Sequence, residues 1–168
     1  MKKLAIMRHG HAENYVTSDR ERRLTDRGVL ASGQGASVVA RFFDSDFPLA
    51  HVYHSPFVRT THTASTLLAS FSEQGRALMG DVVSEPSDEL LGEQSPKQVL
   101  AWLVAEQIDN ALLVSHQPLV SQLLAYLIDA DSSSSAGARY PMAPASIALL
   151  EYETQASGCF ELIKLHHV

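Results

Sequence analysis

Four short apolar runs alternate with longer stretches of helical periodicity, and this alternation limits the fold more than any other feature of the chain. The runs are Leu4 to Met7, Ala50 to His54, Val82-Val83 and Ala111 to Ser115. Each is short enough to be a buried strand and too short to be a helix. After the first, Thr25 is placed to cap a helix in which Val29, Leu30, Gly33, Ala36, Val39, Ala40 and Phe43 recur at helical spacing. After the second, Ser55-Pro56 supplies a cap and a proline at the first helical position, with Ala64, Leu67, Leu68 and Phe71 on one face. After the third, Ser95-Pro96-Lys97-Gln98 combines a cap, a first-position proline and a capping-box glutamine, followed by Val99, Leu100, Leu103 and Val104. Pro118 opens a fourth helix carrying Leu119, Val120, Leu123, Leu124 and Leu127. Asp129 to Gly137, with its Ser132 to Ser135 run, reads as a flexible surface loop. Ile147 to Tyr152 and Phe160 to Leu165 then flank a turn at Ser157-Gly158 and predict an antiparallel hairpin. The expected architecture is α/β: a single domain over residues 1–168, a three-layer α/β/α sandwich whose mostly parallel sheet ends in that hairpin.

Charge narrows the partners. Thirteen basic and nineteen acidic side chains give a formal charge of −6, which argues against nucleic acid as a partner but permits a local basic pocket for an anion. One cysteine, Cys159, rules out a disulfide within the chain and suits a reducing compartment; it is expected to be a small buried hydrophobe in a late strand. The Met1-Lys2-Lys3 start is followed by an apolar run too short for a signal peptide. Nor does any stretch approach the roughly 20 apolar residues of a membrane span, so a cytoplasmic protein with no membrane association is expected.

Chemistry concentrates at three strand-to-helix corners: Met7-Arg8-His9-Gly10-His11, Ser55-Pro56-Phe57-Val58-Arg59 and Val114-Ser115-His116-Gln117-Pro118. Ligands of open α/β sheets bind beyond the carboxyl ends of the strands. The first, second and fourth strands would therefore bring Arg8, His9, Arg59 and His116 to one rim. Two guanidiniums and two imidazoles make an anion site, because the planar guanidinium fork matches phosphate oxygens. Neighbouring positive charge keeps an imidazole neutral and nucleophilic. Gly10 is expected to let the backbone approach a phosphate closely. Two arginines beside the histidines repel a cation, and no carboxylate or cysteine stands at ligand spacing, so neither a metal nor another cofactor is expected. His11 reads as an incidental loop residue and His54 as strand-end packing.

These blocks carry a resemblance. Arg8-His9-Gly10 at the end of the first strand, Ser55 to Ala64, and Val114-Ser115-His116 resemble, in order and spacing, the three signature blocks of the histidine phosphatase superfamily, and Leu24-Thr25 with Gly28 resembles its segment after the first strand. The resemblance covers nearly the whole chain and implies a phosphoglycerate mutase-like fold. The chain is too short for the pocket-walling insertions of the larger members. With Ser115 to Val120 reading Ser-His-Gln-Pro-Leu-Val, it is most similar to the compact phosphohistidine phosphatases of that family.

The resemblance implies that His9 attacks phosphorus, that Arg8 and Arg59 hold the equatorial oxygens, and that His116 bonds the phosphoryl group. It also implies an arginine at the place of Arg22, which would add a third guanidinium to phosphate binding, whereas Arg20 and Arg23 read as solvated. Glu89, after the third strand, stands where the mutase branch places its acid. The implied substrate is phosphohistidine displayed on a signalling or phosphotransfer protein, with phosphate and other oxyanions as pocket ligands. Two other functions stay open: a phosphatase of small phosphorylated metabolites, and a module that binds phosphohistidine without hydrolysing it.

Overall fold

The computed structural model describes residues 1–14, 17–72, 75 and 82–168. Six strands, β1 (Lys2–Arg8), β2 (His51–His54), β3 (Ser84–Pro86), β4 (Ala111–Ser115), β5 (Ile147–Tyr152) and β6 (Phe160–His166), form one sheet in the order β3-β2-β4-β1-β5-β6. β1, β2, β3 and β4 pair in parallel, whereas β5 runs antiparallel to β1 and β6 antiparallel to β5. Among the described residues, four helices, α1 (Asp26–Phe42), α2 (Val58–Ala69), α3 (Pro96–Ala105) and α4 (Leu119–Asp129), lie between them.

Alternation along the central strands divides the core between two faces. Leu4 and Ile6 of β1, with Ala111 and Leu113 of β4, join Val99 and Leu103 of α3 and Leu123 of α4. Ala5 and Met7, with Leu112 and Val114, join Ala36 and Val39 of α1 and Ala64 and Leu67 of α2. Strand side chains point alternately to opposite faces, so a five-residue apolar run such as Ala111–Ser115 serves two helical layers at once. This is the three-layer α/β/α sandwich.

The helix starts follow local chemistry. Thr25 caps α1 by accepting the Gly28 N–H, and Ser95 with Gln98 closes a full capping box on α3. The buried face of α1 is built from small residues, Gly28, Ser32, Gly35 and Ala36, with Val39 and Phe42. A Cβ on Gly28 would run into the His11 carbonyl oxygen, and one on Gly35 would meet Ile147 Cδ1 at 2.7 Å. The helix thus lies close against the sheet, and its stripe is rotated from the one the aliphatic residues suggest: Leu30 is exposed.

Several expectations are corrected. The third strand is Ser84–Pro86 rather than Val82-Val83; Val83 is exposed. Among the described residues it is an edge strand, paired with β2, so it needs no apolar run and tolerates a proline. Val104 also faces solvent. Helix α2 begins at Val58, with Phe57 at its cap position and no side-chain cap; Ser55 remains at the end of β2, its N–H bonded to the Val114 carbonyl. In the segment Asp129 to Gly137, Ser132 to Ser135 are exposed as expected, Arg139 pairs with Asp129 and Asp131, and Ala136 is buried in a short 3-10 turn. Cys159 is exposed, in the turn before β6 and not in a strand. Among the described residues, no helix is long and apolar enough to cross a membrane.

Candidate active site

The parallel ladder sets the site. Arg8 is in register with Ser115, and His54 with Val114, so the corners after β1, β2 and β4 fall at one end of the sheet. Ladder bonding continues past the strand ends: His9 N–H donates to the Ser115 carbonyl at 3.0 Å, and Ala145 N–H reaches the Arg8 and His9 carbonyls. His9 is therefore fixed by backbone from both neighbouring strands.

Its ring is fixed as well. His9 Nδ1 lies 2.7 Å from the Gly10 carbonyl oxygen. A carbonyl only accepts, so Nδ1 carries the proton and Nε2 keeps its lone pair. Arg59 Nε donates to that Nε2 at 3.3 Å. His9 is 8 % exposed, and its pKa is lowered to about 4, chiefly by burial and further by Arg59, Arg8 and Arg22, against the opposing Gly10 bond. The imidazole is thus neutral near pH 7.

His116 lies edge-on to His9, with ring centroids 5.3 Å apart. Its Nε2 is 2.8 Å from Ser55 Oγ, whereas its Nδ1 is buried without a hydrogen-bond partner. Burial first, then Arg59, lowers its pKa to about 3. Phe57 packs edge-on against the His116 ring, and the Arg59 guanidinium lies over the Phe57 ring with Cζ 5.0 Å from its centroid. Arg59, in the first turn of α2, is buried. Arg8 donates Nη1 to the Met142 carbonyl at 2.8 Å, while its buried Nε has no partner. The structure thus brings Arg8, His9, Arg59 and His116 to one rim.

The remaining predicted residues divide. Arg22 reaches the rim indirectly: its Nη1 pairs at 2.9 Å with Asp19 Oδ1, and Asp19 Oδ2 pairs with Arg59 Nη2 at 3.1 Å. Gly10 N–H is committed to Thr63 Oγ1 at 3.0 Å, and a Cβ there would meet Ser32 Oγ at 2.6 Å and Gly28 O at 2.7 Å. Close packing of α1 therefore accounts for this glycine. Glu89 lies in a short 3-10 turn, where its backbone N–H binds Ser87 Oγ; its carboxylate makes no hydrogen bond or ion pair with the four rim residues. His11 Nδ1 binds Thr25 Oγ1, and His54 is buried with Nδ1 on the Ser55 carbonyl. Among the described residues, no group of three or more His, Cys, Asp or Glu could hold a metal.

Asp19 and Ser55 escaped the sequence reading. Asp19 is an acid inside the basic run Asp19 to Arg23, three residues before Arg22, a spacing that pairs side chains within one turn. Ser55 carries no such signal, because Ser-Pro before a helix already has a local use as a cap.

No protein-family model matches the sequence, and no curated protein matches it. Solved structures do match. The fold is that of the histidine phosphatase superfamily. Within it, the chain resembles the protein histidine phosphatase SixA complexed with tungstate: 25 % identity over 97 % of this chain and 95 % of that one, with a TM-score of 0.76. It is also similar in fold to a phosphoserine phosphatase of Entamoeba histolytica in complex with 3-phosphoglyceric acid, at 15 % identity over 100 % and 98 % of the chains and a TM-score of 0.68. A mycobacterial glucosyl-3-phosphoglycerate phosphatase matches at 18 % identity over 98 % of each chain, also with a TM-score of 0.68.

Proposed function

We propose that this chain is a phosphatase that works through a phosphohistidine at His9, and that its substrate is phosphohistidine on a signalling or phosphotransfer protein. One observation carries the reading: the bond from His9 Nδ1–H to the Gly10 carbonyl leaves Nε2 as a buried lone pair beside Arg59. In the reaction, Nε2 forms a bond to phosphorus while the bond from phosphorus to the leaving nitrogen breaks in line. The leaving ring takes a proton from water on its other nitrogen and so departs as neutral imidazole. The phosphorylated His9 ring is momentarily cationic, and the Gly10 carbonyl at Nδ1 stabilises that charge. Arg8 and Arg59 oppose the charge on the equatorial oxygens, and His116 bonds the phosphoryl group from its side. Water then attacks phosphorus, the P–N bond to His9 breaks, and phosphate leaves. Buried polar atoms without partners, Arg8 Nε and His116 Nδ1, suit a site that is completed by an oxyanion.

The choice of phosphohistidine as substrate is supported by the likeness to SixA. A second reading, a phosphatase of small phosphate esters, is favoured by the fold shared with phosphoserine and glucosyl-3-phosphoglycerate phosphatases.

The test supplies a phosphohistidine-bearing transfer domain alongside phosphoserine and phosphoglycerate. Phosphate release from the domain, with an acid-labile phosphoenzyme that vanishes in His9→Ala, is the expected result. Turnover of the small esters alone selects the second reading. Unchanged hydrolysis in His9→Ala overturns the mechanism, and tight binding of the phosphodomain with no release marks a binding module.

A further inference from the structure

Arg59 presents an occupied fork. Its Nε donates to His9 Nε2 at 3.3 Å, its Nη1 to the Asp19 carbonyl at 2.7 Å, and its Nη2 to Asp19 Oδ2 at 3.1 Å. The second Asp19 oxygen, Oδ1, takes Arg22 Nη1 at 2.9 Å. One carboxylate therefore spans two guanidiniums in the manner of two oxygens of a phosphoryl group. The two partners differ in burial: the Arg59 side chain is 7 % exposed and that of Asp19 is 60 % exposed. The anion thus reaches Arg59 from the solvent side and can withdraw to solvent by rotating its own side chain. The Asp19 carbonyl on Nη1 does not have to move.

We infer that Asp19 is a resident anion on Arg59 and Arg22, and that an incoming oxyanion must displace it. The inference rests on reading this rim as a phosphoryl site. Its physical basis is charge. Asp19 pairs with both Arg59 and Arg22, two of the three guanidiniums whose charge acts on His9, and so neutralises part of that positive charge. A phosphoryl dianion and the Asp19 carboxylate cannot both sit within hydrogen-bond distance of one guanidinium without strong repulsion. A doubly charged oxyanion outcompetes the single carboxylate, whereas monoanions gain little by replacing it. Asp19 in this way sets the threshold of charge that a ligand must carry.

Titration with tungstate, followed by calorimetry, tests this on the whole chain, with inhibition by inorganic phosphate as a second measurement. Asp19→Asn removes the charge, and Asp19→Ala also removes the hydrogen bonds. Both variants change an exposed side chain, and their melting curves check that they fold. Tungstate should bind each about three- to tenfold more tightly than it binds the unaltered protein, the scale expected when an exposed ion pair and a nearby like charge are removed. A tungstate complex of the unaltered protein should show Asp19 Oδ2 beyond hydrogen-bond reach of Arg59 Nη2. Unchanged or weaker tungstate binding in both variants overturns the inference and assigns Asp19 to holding the arginines in place. Tungstate binding without phosphate release from any substrate overturns the hydrolytic reading instead, and the comparison of variants stands.

Discussion

At the residue scale, His9 shows how one hydrogen bond divides the tasks of a ring. The Gly10 carbonyl holds the proton on Nδ1 and so assigns the lone pair to Nε2. Burial and three arginines keep that lone pair unprotonated. Nitrogen NMR of the imidazole should therefore show a neutral ring with its proton on Nδ1 from pH 8 down to pH 5, with protonation near pH 4. A midpoint near 6.5, the ordinary histidine value, would contradict the burial argument. The meeting of Arg8, His9, Arg59 and His116 at one rim was legible in the sequence because each stands just past an apolar run. Asp19 and Ser55 were hidden for the opposite reason. By sequence alone, an acid in a charged run reads as solvated and a serine before proline reads as a cap. Only the convergence of chain segments reveals that one binds Arg59 and the other His116.

At the element scale, periodicity located α1, α3 and α4 to within a residue or two, because capping and the buried stripe act within a few residues of each other. It misplaced β3, which pairs with a neighbouring strand, and the start of α2, where Ser55 is held by the Val114 carbonyl and by His116 in place of capping the helix. In an ordinary helix, Gly→Ala adds stability. In Gly28→Ala the new Cβ meets the His11 carbonyl, and α1 must move away from the β1 corner. We expect a loss of about 1–3 kcal/mol in urea denaturation. A gain in stability would show that the corner yields easily.

At the scale of the whole molecule, burying the site makes stability depend on pH. The folded-state pKa values of His9 and His116, about 4 and about 3, lie below the ordinary 6.5. Between pH 4 and 6.5 the unfolded chain therefore binds protons that the folded chain does not, and stability rises with pH. The contribution of the two rings is fully present above pH 6.5 and is lost as pH falls through 4 and 3. Each ring adds up to about 1.4 kcal/mol per pH unit in that window. Urea midpoints at pH 6.5, 5.5 and 4.5 should fall steadily, and the His9→Gln, His116→Gln double variant should show a shallower fall. An equal slope in the two proteins would place the pH dependence in other groups.

The sheet register also fixes where the chain can be held. Lys2 at the start of β1 pairs with Tyr152, and Tyr152 pairs with Phe160, so the turn bearing Cys159 lies at the end of the sheet away from His9. Cys159 is the sole thiol of the sequence and is exposed. A maleimide dye, bead or electrode would therefore attach at a single chemically defined point, with the His9 mouth turned outward, and the chain could be immobilised in one orientation without any engineered tether.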